Sequence, residues 1–130
     1  MNNTFTYIGP FMGKPRMVKS DAWKKRPVVE RYWAIKDFMI LQASLQKFKL
    51  RETFQAVIWI PMPKSWSKKK KIAMAGSPHR QVPDADNLIK AVQDILLKED
   101  SHVWKFCVSK HWQGDVYSID YKIMIENIKS

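Results

Sequence analysis

The sequence predicts an α+β domain: a mixed or antiparallel sheet with two packed helices, in one unit over residues 1–130. Three observations predict it. The chain has 130 residues, the size of one ordinary domain. Two stretches, 28–45 and 86–98, carry apolar residues at helical intervals, whereas the remaining apolar stretches alternate or are rich in β-branched and aromatic residues. Hydrophobic residues make up 45% of the chain and include six Trp, which argues for a packed core rather than disorder.

"TFTYIG" (4–9) reads as a first strand, ended by Gly9-Pro10. The basic stretch 13–27 has no period and reads as a loop. From Val28 to about Leu45, Tyr32, Ile35, Met39 and Ala43 recur every three or four residues, joined by Phe38 and Leu45, with Pro27 suited to the first turn. "TFQAVIWIPMP" (53–63) reads as a strand stopped by prolines. Residues 64–83 read as a basic loop, long enough to be functional or mobile. "DNLIKAVQDILLK" (86–98) carries a helical stripe of Leu88, Val92, Ile95 and Leu96. Two strands follow, 102–112 and 116–128, separated by a turn at Gln113-Gly114-Asp115. Tyr117, Ile119, Tyr121, Ile123 and Ile125 alternate onto one face of the second.

The chain carries 23 Lys and Arg against 12 Asp and Glu, a formal charge of +11. An excess this large points to a polyanionic partner, nucleic acid being the commonest, with ribosomal surfaces and anionic lipid as alternatives. No run approaches the ~18 apolar residues of a membrane span, and the first residues lack the features of a signal peptide. The expected setting is therefore cytoplasmic. Cys107 is the only cysteine, which excludes an intrachain disulfide and a four-cysteine zinc site; mid-strand, it is expected to be buried. There is no phosphate-binding or dinucleotide-binding glycine motif.

Against that basic background, Asp84, Asp86, Asp94, Glu99 and Asp100 fall within seventeen positions. Asp86 suits the N-cap of the second helix, with Asp84 on the extended approach after Pro83, so the two would project to the same side. A structural reading has Asp86 as a cap and Asp94 paired with Lys90 four residues away. It leaves Asp84 without a task and an acidic pair at a helix C-terminus, where the helix dipole disfavours it. Two carboxylates about 4 Å apart repel by roughly 4 kcal/mol at an effective dielectric near 20. A hard divalent ion such as Mg²⁺ relieves that repulsion and polarises a phosphodiester. Carboxylates amid lysines therefore suit a metal-dependent nuclease.

The run "PDADNLIKAVQDIL" (83–96), an acidic pair before a strand and the basic "SWSKKKKIAMAGSPHRQV" (65–82) resemble the RusA family of Holliday junction resolvases. That resemblance implies a small homodimer that cuts four-way DNA junctions with Mg²⁺, Mn²⁺ being a possible substitute, by paired symmetrical nicks in recombination and repair, in a bacterial or phage-infected cell. By position, Asp84 and Asp86 match the first two catalytic carboxylates and Asp100 the third, with Glu99 beside it as a further metal ligand. Asn87 and Lys90 match the motif asparagine and lysine, and Asp94 a helix aspartate. The family generally spaces the acidic pair more widely from the helix aspartate, with a Gly-containing turn between; here "ILLKED" runs straight on.

Lys90 is then expected at the scissile phosphate, the alternative being a pair with Asp86 or Asp94. Asn87 is expected to position the helix start or a metal-bound water. Lys68, Lys69, Lys70, Lys71, His79 and Arg80 are expected to track a DNA backbone, as are Lys14, Arg16, Lys24, Lys25 and Arg26 near the N-terminus. Trp66 is open to two readings, stacking on unpaired bases or packing against the sheet. The competing functions are a non-catalytic nucleic-acid-binding protein and a nuclease for flaps or forks.

Overall fold

Pro27, whose missing N–H is no loss in a first turn, opens helix α1 (Pro27–Leu45) in a computed structural model that describes residues 1–22, 26–98 and 100–128. The buried stripe of α1 is Val29, Tyr32, Ile35, Met39 and Ala43. Phe38 and Leu45 depart from expectation and are 42% and 73% exposed. Leu45 lies two residues past Ala43, about 200° round the helix. Phe38 sits at the rim, its ring edge-on to Tyr7 at 5.9 Å.

Strands β1 (Thr4–Gly9), β2 (Thr53–Ile60), β3 (Lys105–Trp112) and β4 (Tyr121–Asn127) form one sheet in the order β1-β4-β2-β3. β4 runs antiparallel to β1 and β2, and β3 runs parallel to β2, so the sheet is mixed. A parallel neighbour requires a crossover, and the segment between β2 and β3 supplies it with two helices, α2 (Lys68–Met74) and α3 (Ala85–Leu96). Phe54, Ala56, Ile58 and Ile60 of β2 join Ile123 and Ile125 of β4, Phe5 and Tyr7 of β1, and Leu88, Ile89, Val92 and Ile95 of α3 in one core with α1. The class and the order of the main elements are those expected.

Three segments differ from the sequence reading. Residues 64–83 are not a free loop. Ser67 caps α2 by accepting a hydrogen bond from the Lys70 N–H at 3.1 Å, and all four lysines lie on that helix. Beyond α2, Gly76 takes a positive φ of 75°, and the chain then lies along the edge of β3. Gly76 N–H donates to Trp112 O, Trp112 N–H to Ser77 O and His79 N–H to Lys110 O, and Pro78 stands opposite His111.

The last strand begins at Tyr121 rather than 116, and Tyr117 and Ile119 are exposed. Asp115 Oδ1 accepts the Tyr117 N–H at 2.9 Å and Ser118 Oγ accepts the Asp120 N–H at 3.3 Å. These side chains take up backbone groups that a strand would need for its ladder. Cys107 is exposed rather than buried, because its position in the register alternates onto the sheet face opposite the core residues Phe54, Ala56 and Ile58.

Candidate active site

α3 begins two residues earlier than the capping pattern suggests, and this moves both carboxylates. Leu88 N–H donates to Asp84 O at 3.1 Å and closes the first turn. Asp84 is therefore the N-cap, with extended φ −67° and ψ 148°, and Asp86 lies inside the first turn. The expected arrangement of Asp86 as cap and Asp84 on an extended approach is corrected accordingly. Asp84 makes no side-chain capping bond. Both side chains are exposed, and the ion pairs among the described residues involve neither. The unpaired N–H groups and dipole of a helix N-terminus favour negative charge there. In a chain of charge +11, Asp84 and Asp86 thus stand two positions apart at one helix start, without an ion-pair partner among the described residues.

The approach to Asp84 is fixed from β3. Lys110 Nζ donates to Gln81 O at 2.5 Å and to Pro83 O at 2.8 Å. The Val82–Pro83 peptide between these two carbonyls is cis. The site thus lies where α3 begins and the parallel strands β2 and β3 end, the usual position for ligands in open sheets with parallel strands. A larger groove of about 990 Å³, lined by Ile40, Phe48, Ile95 and Lys98 among others, lies toward the opposite end of α3.

Asn87 is half-buried against the N-terminal basic segment. A Cβ added to Gly13 would fall 2.1 Å from its Nδ2 and 2.8 Å from its Cγ, so any larger residue there must displace the Asn87 amide. The next residue, Lys14, reaches Asp94 Oδ1 at 3.1 Å, while Tyr32 Oη donates to Asp94 Oδ2 at 2.7 Å and Lys36 Nζ stands 3.9 Å away. Burial alone would raise the Asp94 carboxyl. The hydrogen bonds from Tyr32 and Lys14, with the charges of Lys14 and Lys36, outweigh it and hold the group below the usual aspartate range. Burial first, then that same bond, pushes the Tyr32 phenol well above its ordinary value. Asp94 is therefore a junction between the N-terminal segment, α1 and α3. Lys90 is exposed and pairs with neither Asp86 nor Asp94 among the described residues.

The third carboxylate is expected at Asp100, with Glu99 beside it. Asp100 opens a 3-10 turn, Asp100–His102, beyond the far end of a helix about 18 Å long; its side chain and Glu99 lie outside the described residues. Among the described residues no group of three His, Cys, Asp or Glu is placed to hold a metal. Asp84 and Asp86 are the pair that fits a hard cation, since Mg²⁺ is commonly held by one or two carboxylates together with substrate phosphates and water.

The basic residues divide into free and engaged. Lys68, Lys69, Lys70 and Arg80 are exposed, Lys71 is half-buried, and Arg16 is exposed. His79 is only 4% exposed, its ring packed on Trp112 at 4.3 Å, so it lines no DNA surface, contrary to expectation. Burial, then the charge of Lys110, holds it below the usual histidine range. Arg26 spends its guanidinium on Asp21, at 2.7 and 2.8 Å, and on Arg16 O at 2.9 Å; with Lys14 tied to Asp94, both are structural cations. Lys24 and Lys25 lie outside the described residues. Trp66 packs on Trp112 at 4.7 Å with Lys70 Nζ 4.3 Å from its ring centroid, which favours the packing reading.

Sequence reasoning missed Lys110. Its one signal was a lysine at the same alternation phase as Val108 and Trp112 in "VSKHW", a phase that turns toward the core at Trp112.

The family model described as Endodeoxyribonuclease RusA matches residues 12–125 of the chain. No curated protein matches it.

Proposed function

This chain belongs to the RusA family of endodeoxyribonucleases, and from that membership we propose that it is a divalent-metal-dependent enzyme that resolves four-way DNA junctions by paired, symmetrical nicks. The observation that carries the reading is the exposed pair Asp84 and Asp86 at the start of α3, without a cationic partner among the described residues. These two would hold Mg²⁺ or Mn²⁺, which when bound would supply Lewis-acid stabilisation and an activated water.

The chain's own residues do the rest. Lys90, one turn further along α3, offers an unpaired ammonium to the phosphate whose charge grows in the transition state. Asn87 keeps the Gly13 segment against the helix start. Lys68–Lys70 and Arg80 present positive charge to the flanking backbone. Asp100 and Glu99 enter as candidate additional ligands from the family pattern, and a homodimer suits the proposal because a two-fold junction offers two related strands to two related sites. Such work belongs to recombination and repair in the cytoplasm of a bacterial or phage-infected cell. No helix among the described residues is long and apolar enough to cross a membrane.

The test is cleavage of a synthetic four-way junction with and without Mg²⁺, alongside flap and fork substrates. The parent should nick the junction only with metal. Asp86→Asn should lower the rate by roughly a hundredfold or more, the scale on which one charge-stabilising group acts, while still binding the junction. Equal cutting by Asp86→Asn would leave a nucleic-acid-binding protein as the better reading.

A further inference from the structure

Lys110 stands on β3 opposite Ile58 of β2, in the alternation phase of Val108 and Trp112. A lysine in that phase is costly unless its ammonium finds acceptors. It finds two, Gln81 O at 2.5 Å and Pro83 O at 2.8 Å. The Pro83 carbonyl belongs to the same peptide plane as the Asp84 N–H, so its position sets the backbone from which the Asp84 side chain rises. The main chain of the same residue holds the other end of the segment: Lys110 O accepts the His79 N–H at 3.1 Å, and the His79 ring is buried on Trp112. Residues 79–83 are thus fastened at both ends to one residue of β3, the last strand of the sheet.

We infer that Lys110 is a positioning residue for the active site, fixing the peptide before Asp84 so that the Asp84 and Asp86 carboxylates stand ready for a cation. The inference rests on the metal-nuclease reading for its activity readout, but the clamp itself is a property of the fold. Two features separate it from a DNA contact. Two of the three ammonium N–H groups are already donated to carbonyls, and the side chain is half-buried. The acceptors are neutral, so the clamp does not depend on any carboxylate's protonation.

The experiment compares parent, Lys110→Met, Lys110→Gln, Lys110→Arg and Asp86→Asn as full chains. Lys110→Met should lower kcat on the junction by about 10- to 100-fold, the scale of a small misplacement of a reacting group, and raise the Mg²⁺ concentration for half-maximal rate. Junction affinity measured in Ca²⁺ should stay within about twofold, since no phosphate contact is removed. Lys110→Arg should recover most of the rate and Lys110→Gln, with a shorter neutral donor, only part. Amide hydrogen exchange without metal should show the first bonded amide of α3, Leu88, whose N–H is held by Asp84 O, opening at least about tenfold faster in Lys110→Met, with the core of β2 unchanged.

A parental kcat in Lys110→Met, or a loss of junction affinity that matches the loss of rate, would overturn the assignment. So would unchanged exchange at Leu88. If Lys110→Met does not fold, the Lys110→Gln and Lys110→Arg pair decides by the same measurements. If the parent itself cuts nothing, the functional reading has failed, and the exchange comparison still decides whether the clamp exists.

Discussion

The Tyr32 hydroxyl donates a 2.7 Å hydrogen bond to Asp94 Oδ2 and so joins the buried face of α1 to α3 two turns after the candidate metal ligands. The phenol is buried and the carboxylate partly so, which makes this a charge-assisted bond shielded from water. Tyr32→Phe should lower stability by about 1.5–3 kcal/mol, the range for a hydrogen bond to a charged group. Lys14→Met should cost no more than about 1 kcal/mol, because that pair is solvent-exposed. Urea unfolding of the two single variants and the double variant measures both, and the coupling between them.

The same carboxylate makes part of the stability acid-sensitive. Its folded value lies below the unfolded one, so its contribution is full above the ordinary aspartate pKa of about 3.9 and disappears as pH falls through the folded value. Asp94→Asn should flatten the loss of melting temperature below about pH 4 relative to the parent.

His79 titrates in a second window. Its folded value is depressed by burial and by Lys110, so near and below pH 6.5 the unfolded chain binds more protons than the folded one. Stability from this residue is complete above about pH 6.5 and erodes as pH falls below it. His79→Phe, which keeps a ring against Trp112, should remove the slope that His79 contributes to melting temperature below about pH 6.5.

Gly13→Ala puts a methyl group where Asn87 Nδ2 now stands, 2.1 Å from the ideal Cβ. Overpacking of this kind costs about 1–3 kcal/mol. It should also slow junction cutting, because Asn87 immediately follows Asp86. Thermal melting and a single-turnover cleavage assay would record the two effects, and Gly13→Ala combined with Asn87→Ala should recover the stability but not the rate.

The exposed lysines of α2 should be visible in salt. Each phosphate contact contributes about 0.9 to the slope of log K against log salt on duplex DNA. Lys68→Gln with Lys69→Gln should therefore reduce the slope by about 1.8 and leave the thermal midpoint unchanged, since neither side chain makes an ion pair among the described residues.

Much of this was legible before any coordinates. α1 was marked by Pro27 and a stripe that runs from Val29 to Ala43, and α3 by an apolar set that recurs every three or four residues. α2 was hidden because its seven residues bury none, leaving no periodic signal. Tyr117 and Ile119 imitated a strand because alternation does not record that Asp115 and Ser118 bind nearby backbone. At the site, residue types announced Asp84 and Asp86, but the partners of Asp94 stand 62 and 80 positions away. Such closures follow from packing and leave no local trace, as with the reach of Lys110 back to Pro83.

Pro78 sits opposite His111 at the outer side of β3, the last strand of the sheet. Having no N–H, it cannot hand the ladder on to another chain. The sheet is therefore sealed against further growth at the end of β3 nearest the start of α3. The start of β3, beside the exposed rings of Trp104 and Phe106, has no such proline and carries the exposed Lys105, a charge of the kind that discourages edge-to-edge pairing.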